Sequence, residues 1–450
     1  MYRAQVFLRQ LEPRSARTTA EVLNFALWPF AVLTVLNRVF IKAVNGYITD
    51  DFRPVYNASL HFLRHEPIYN ANFDSTDPHY LYPPSGTLLI SPLAILDPEK
   101  SRWAFILLNA AAIILAGYLL LRLFNFTLSS VAAPALLLAM FASETVTNTL
   151  VFTNINGCLF LLMVAFFHLV IRRQFLWAGV ALGLAIAVKG PLLAPLLMIP
   201  LVMGRWEATG KLGGIPMGRP KEGQWQVLVT ALGIPVALNL AAWPLIVDYK
   251  QFWTHTLPYL SESRDYFNSA IVGNAGYYGV ADWLTWTMRI VIGVLVLVSL
   301  WLLVRYYRSD EVFFVCTVSG ILVTAVLLLS SLGQMYYSMF MFPLLMTVVL
   351  RNSLIRNWPA WVAIFGFMTY DKWLSDRWQS AGRTLEYLRT TFGWSLLLIV
   401  VFCVLADRYL AAKREGRLQP GKTLDPAWMH LEQQRDIADP EATADFVRAG

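Results

Sequence analysis

Residues 22–52, VLNFALWPFAVLTVLNRVFIKAVNGYITDDF, carry a long apolar run straight into two adjacent carboxylates. Between Val22 and Val44 only Asn24, Thr34, Asn37, Arg38 and Lys42 interrupt the run. It therefore predicts a first membrane-spanning helix that delivers Asp50 and Asp51 to a water-lipid boundary. Acids in that place either open a solvated loop, cap a helix, or belong to a site.

Composition assigns the class. Of 450 residues, 57% are apolar, 14% aromatic and only 14% charged, against roughly 25% charged in soluble domains. Many long segments must avoid water, so the chain reads as an all-α polytopic membrane protein. The net charge of +7 is scattered between apolar runs in the way that orients helices in a bilayer, which argues against a nucleic-acid partner. Cys158, Cys316 and Cys403 lie inside apolar stretches with neither disulfide nor zinc spacing and read as core residues. Arg3, Arg9, Arg14 and Arg17 precede the first run and no small-residue cleavage site follows it, so the run is expected to stay as an anchor.

Outward from that anchor, apolar runs predict spans near 22–44, 102–124, 129–146, 156–171, 175–188, 191–203, 226–247, 284–304, 312–331, 337–350, 358–373 and 391–410. That is about 11 or 12 transmembrane helices, of which 175–188 and 191–203 fall short of the roughly 20 residues a perpendicular span needs and read as a broken or re-entrant pair. Basic residues cluster at Arg172–Arg173, Arg205 to Lys221, Arg305–Arg308, Arg351–Arg356 and Lys413–Arg417. All fall on one side if the N-terminus is cytoplasmic. The expected organisation is a cytoplasmic segment 1–20, one transmembrane catalytic domain 21–410 and a polar cytoplasmic tail 411–450. Loops 45–101, 248–283 and 374–390 then lie on the extracytoplasmic face of the plasma membrane, with Asp50 and Asp51 among them. In the first of these, Val55, Ser59, Phe62 and Leu63 recur at helical spacing and predict a short amphipathic helix at the interface. The Gly/Pro-rich loop 204–225 and the tail are expected to be flexible.

No phosphate-cradling glycine loop, His-Glu metal helix or nucleophile elbow occurs in the chain. An extracytoplasmic enzyme has no ATP or sugar nucleotide at hand, so group transfer there favours a donor supplied by the membrane, and a sugar on a polyprenyl phosphate fits. Its leaving phosphate is already a stable anion, whereas the attacking hydroxyl needs a carboxylate to take its proton and a cation helps near the phosphate.

The ordered set Asp51-Phe52, Val55-Tyr56, Ile68-Tyr69, Tyr80-Leu81-Tyr82-Pro83-Pro84 and Pro92 resembles the first-loop signature of the family 87 polyprenyl-phosphate-dependent glycosyltransferases of the GT-C fold. Asn154-Ile155-Asn156-Gly157, Lys189 at a helix end, and Asn268-Ser269 extend the likeness. Within that family NGYITDDFRPVY, DPHYLYPPSGTLL, NTLVFTNINGC, RDYFNS and IRNWPAW are similar to the arabinofuranose-transferring branch, over nearly all of residues 20–420. The resemblance implies decaprenyl-phosphate-arabinofuranose as donor and the α-(1→5) arabinan of arabinogalactan and lipoarabinomannan as acceptor, which gains 3-linked branches in cell wall biogenesis. Family members that transfer mannose usually place a histidine pair where this chain has Gln334-Met335-Tyr336-Tyr337, a departure that puts a histidine shuttle in doubt.

The resemblance further implies an inverting displacement with Asp51 as general base and Asp50 as its neighbour, the two roles being exchangeable. Lys189, beside the Gly190-Pro191 break, either contacts the donor phosphate or snorkels to the interface. Arg264 is a second phosphate candidate, or a partner of Asp265. Asn154, Asn156, Asn268 and Asn274, together with Gln334, are candidates for binding sugar and acceptor hydroxyls, although asparagines also close turns. Tyr56, Tyr82, Tyr336 and Tyr337 either contact a sugar or sit at the interface as tyrosines commonly do. His79 and His255 read as structural. No metal and no cofactor is expected, because a monophosphate donor requires neither. Two alternatives stand beside this reading: a polyprenyl-phosphate-mannose-dependent mannosyltransferase of the same fold, and a flippase for a lipid-linked sugar, which should show two repeat halves and charges near mid-membrane.

Overall fold

In a bilayer a backbone must satisfy its own polar groups, and this chain does so by winding nearly every apolar run into a helix. The computed structural model describes residues 19–48, 51–74, 78–203, 206–212, 215–220, 223–420, 422–427 and 429. The expectations for the N-terminal segment to residue 18, for Asp50 and for the tail beyond 429 lie outside the described residues.

The principal helices are α1 (Thr19–Leu36), α2 (Phe52–Leu63), α3 (Pro84–Ile90), α4 (Pro98–Leu123), α5 (Ala132–Ala142), α6 (Glu144–Val151) and α7 (Asn156–Ile171). They continue with α8 (Phe175–Leu193), α9 (Gln224–Ala242), α10 (Ile271–Tyr278), α11 (Asp282–Leu302), α12 (Glu311–Leu329), α13 (Trp358–Met368) and α14 (Gln379–Arg414). Six helical stretches among the described residues are long and apolar enough to span, and α5 with α6, bent by 58°, makes a seventh. The expected spans at 156–171, 175–188, 337–350 and 358–373 appear as shorter apolar helices. The expected span 191–203 is not one helix. It is a 3-10 turn, Ala194–Leu197, followed by a five-residue helix, Met198–Val202.

The layers follow from burial. In the most apolar part of α12 83% of the residues are covered by protein, whereas in that of the first span, Thr19–Val44, only 6% are. Thus α12 runs through the centre of the bundle, while α1, α9 and α11 turn large apolar side chains such as Leu33, Val229 and Leu297 outward, where lipid is their solvent. Cys316 is in the core as expected, but Cys403 faces outward.

Contacts sort the connections onto two faces. On one, Ile68 and Tyr69 donate to Asp248, Ser269 donates to Gly333, and Thr391 donates to Ser269. On the other, Arg173 pairs with Glu311, Arg308 donates to Val202, and Arg408 donates to Asn352 and Ser353. Residues flanking the basic clusters thus share a face, and the long loops share the opposite one.

Two loops differ from expectation. Residues 206–212 and 215–220 pair as a two-stranded antiparallel ribbon, β1 and β2, the only strands among the described residues. The start of the tail is docked, because Leu424 and Asp425 are buried and Arg417 donates to the Asp425 carbonyl at 3.0 Å. An apolar side chain and two arginines outweigh the polar composition of the segment.

Candidate active site

The first span ends in a π-helical turn, Asn37–Val44, whose last carbonyls lack helical donors. Arg102, at the start of α4 and itself buried, donates to the carbonyls of Ala43, Val44 and Gly46 at 3.0, 2.7 and 2.8 Å. A cation at a helix C-terminus is favourable twice over, as hydrogen-bond donor and as charge against the dipole. The chain leaves this cap into the loop that carries Asp51.

Asp51 holds the N-cap position of α2 but makes no side-chain capping bond. Its Oδ2 instead accepts from Asn154 Nδ2 at 2.7 Å. Asn154 lies in the turn between α6 and α7, where Thr153 takes φ +56°, a left-handed conformation that a β-branched residue adopts only under strain. That turn is wedged by packing below it: a Cβ on Gly157 would fall 2.7 Å from the Asn109 carbonyl oxygen, so α7 starts here only with glycine. Asn109 Oδ1 accepts from the Cys158 amide at 3.2 Å and seats the helix start.

Lys189 closes the cluster. It interrupts α8 with φ −139° and ψ 66°. Its ammonium donates to Asn156 Oδ1 at 2.9 Å, Asn154 Oδ1 at 3.3 Å and the Tyr337 hydroxyl at 3.3 Å. It also lies 4.9 Å from the Tyr337 ring centre and 5.4 Å from that of Tyr82. Asn156 is fully buried and its Nδ2 has no hydrogen-bond partner. Burial pushes the Tyr82 phenol up to about 12, so it faces the cluster as a neutral ring. Tyr336 packs on Tyr337, with ring centres 4.7 Å apart, and donates to Gln334.

The structure therefore brings together Asp51, Asn154, Asn156, Lys189, Tyr82, Tyr336, Tyr337 and Gln334. The other candidates have different contacts. Tyr56 donates to the Leu96 carbonyl at 3.0 Å and ties α2 to the return of the first loop. Asn268 spends its whole amide on backbone, donating to Arg264 and Ser331 and accepting from Ala270 and Gly333. Asn274 donates to Thr391 on α14. Arg264 lies over the Tyr259 ring at 5.1 Å, and Tyr259 stacks on Phe73 at 4.0 Å beside His79 and His255.

Sequence reading passed over a buried ionic network behind this site. Glu144, at the start of α6, accepts from Arg389 of α14 at 2.5 Å and from Lys372 at 2.7 Å, with Glu386 3.2 Å from Arg389. The sequence signal was partial: Glu144 falls inside the expected span 129–146, where a carboxylate needs a partner, whereas Arg389 falls in the expected loop 374–390, which the structure winds into the start of α14. No group of three or more His, Cys, Asp or Glu that would hold a metal ion occurs among the described residues.

A cation held by neutral oxygens, one asparagine away from a carboxylate, suits a reaction in which an anion leaves and a proton is taken. The sequence profile of glycosyltransferase family 87 matches residues 80–331. A Mycolicibacterium smegmatis protein named alpha-(1->3)-arabinofuranosyltransferase is 53% identical over 431 residues, 95% of either chain. A Mycobacterium tuberculosis protein of the same name is 52% identical over 432 residues, again 95% of either chain. One from Corynebacterium glutamicum is 37% identical over 423 residues, 94% of this chain and 96% of that one. No solved structure matches the chain.

Proposed function

The chain belongs to glycosyltransferase family 87, and from that premise we propose that it moves arabinofuranose from decaprenyl-phosphate-arabinose to the 3-hydroxyl of an α-(1→5)-linked arabinan. The product is an α-(1→3) branch of the kind found in arabinogalactan and lipoarabinomannan. The active site faces the extracytoplasmic side of the plasma membrane, where a lipid-borne donor is available and nucleotide sugars are not. The names of the relatives favour this over a mannosyltransferase of the same fold or a flippase.

In the proposed step the acceptor oxygen attacks the anomeric carbon while Asp51 takes its proton, and the bond to the phosphate oxygen breaks with both electrons going to the leaving decaprenyl phosphate. One displacement converts a β-phosphate into an α-furanoside. Asn154 holds the Asp51 carboxylate. Lys189, with the free Asn156 amide and the N-terminus of α7, receives the growing phosphate charge. Tyr82, Tyr336, Tyr337 and Gln334 wall the sugar. The observation that carries this reading is the Lys189 ammonium, whose hydrogen-bond partners are all neutral. A lysine so placed is suited to an anionic ligand. Neither metal nor cofactor is required, because the donor's phosphodiester monoanion leaves as a phosphate dianion whose added charge the Lys189 ammonium meets.

The test is arabinose transfer in detergent with a chelator present, using decaprenyl-phosphate-arabinose and an α-(1→5) oligoarabinoside, for wild type, Asp51→Asn and Asp50→Asn. Wild type is expected to form a 3-linked branch, and Asp51→Asn to lose about 10²-fold or more while remaining folded. Mannose transfer in place of arabinose would defeat the arabinan reading. Movement of lipid-linked sugar across vesicles without transfer would defeat the enzyme reading.

A further inference from the structure

We propose that Ser85 and Asn239 are positioning residues that set the Lys189 ammonium in place, an inference that rests on Lys189 serving the donor phosphate. Proline has no backbone N–H, so Pro191 leaves the carbonyl four residues earlier, that of Ala187, without its helical donor. An unpaired carbonyl beside a helix break lets the break wander. Here the Ser85 hydroxyl takes the absent donor's place at 2.6 Å from the Ala187 oxygen. Lys189 is two residues further on, at the non-helical step itself.

Ser85 is fully buried and is in turn held from a third element. It sits at the second position of α3, whose first residue is Pro84 and whose cap position is Pro83, so this helix start offers no side-chain cap of its own. Asn239 of α9 supplies the cap from across the interface. Its Oδ1 accepts from the Ser85 amide at 3.3 Å, and its Nδ2 donates to the Ser85 hydroxyl at 3.2 Å and to the Pro235 carbonyl at 2.8 Å. One asparagine thus fixes both backbone and side chain of Ser85, and Ser85 fixes the end of α8. Tyr82, in the same segment three residues before Ser85, lies over the ammonium, so the chain that holds the break also walls the cation. Neither residue touches the reacting groups; both act through Lys189.

The experiment measures KM for decaprenyl-phosphate-arabinose and for the oligoarabinoside separately, in Ser85→Ala, Asn239→Ala, Lys189→Ala and the double variant Ser85→Ala/Lys189→Ala. Thermal unfolding of each detergent-purified protein is recorded alongside. Ser85→Ala and Asn239→Ala are each expected to raise the donor KM by about tenfold and to leave the acceptor KM within about twofold. In the Lys189→Ala background Ser85→Ala is expected to add less than about twofold, because the group it positions is gone. An effect that multiplies with Lys189→Ala, or a donor KM unmoved by both single variants, would overturn the positioning role. If Ser85→Ala does not fold, the more exposed Asn239→Ala carries the same test in both backgrounds. A Lys189→Ala enzyme with the wild-type donor KM and kcat would refute the phosphate reading itself, and the positioning role with it. A raised donor KM in Lys189→Ala alone would refute only the positioning.

Discussion

Asn154 gives its amide to Asp51 and its carbonyl oxygen to Lys189, so a single neutral side chain sets the spacing between the carboxylate and the ammonium. Asn154→Ala is expected to lower kcat by about 10²-fold with a smaller change in donor KM, as for a general base left unaimed. Asn154→Asp would put a second carboxylate against the first, and like-charge repulsion would move the acid limb of the pH–rate profile upward. A profile of Asn154→Asp that coincides with wild type would show that Asp51 does not titrate in the rate-limiting step. The sequence singled out Asp51, Lys189, Asn154 and Asn156 because they stand beside apolar runs in segments that resemble the family's motifs. It gave Asn268 and Asn274 the same standing, and the two differ only in where their amides go. Asn268 has all of its bonding capacity used by loop backbone, whereas Asn156 keeps an amide free. That distinction exists only once the chain is folded.

Among the elements, α6 is the lever. It is eight residues long, bent 58° from α5, with Glu144 at one end and the turn that aims Asn154 at the other. The short helix is pinned through Glu144 to Arg389, each side chain only 2% exposed. Arg389→Met would leave Glu144 buried with Lys372 as its remaining cationic partner, at a cost of about 3–5 kcal/mol. The expected result is a marked fall in the midpoint of thermal unfolding, and the double variant Glu144→Met/Arg389→Met is expected to recover part of it. An equal loss in single and double variants would show that the pair does not hold α6. The helices themselves were legible from apolar run length. The break at 189–191 was legible from Gly190-Pro191, although the sequence read two short spans where the structure has one helix and two fragments. Proline marks where a helix must yield, but the geometry after the break depends on what replaces the lost bond, here a serine about a hundred residues earlier.

Across the whole molecule the site and the docked tail lie on opposite faces, so their contributions separate. Deleting residues 418–450 removes Leu424 and Asp425 from the cluster around Arg408 and Tyr307. Loss of one buried leucine costs about 1.5–3 kcal/mol, so the truncated protein is expected to unfold at lower temperature while keeping its transfer rate. A loss of transfer at unchanged stability would mean that the two faces communicate. The sequence by itself determined the class, the run of helices, the sorting of basic clusters onto one face and the break at Gly190-Pro191. These depend on hydrophobicity, charge and the absence of an N–H, which are properties of residues and their near neighbours. Only the tertiary structure decided which candidates meet, that Asp51 answers to Asn154 and not to its own helix, and that Ser85 completes a hydrogen bond for Pro191. Those are contacts between residues about a hundred positions apart, and linear spacing carries no record of them because they are set by how the helices pack.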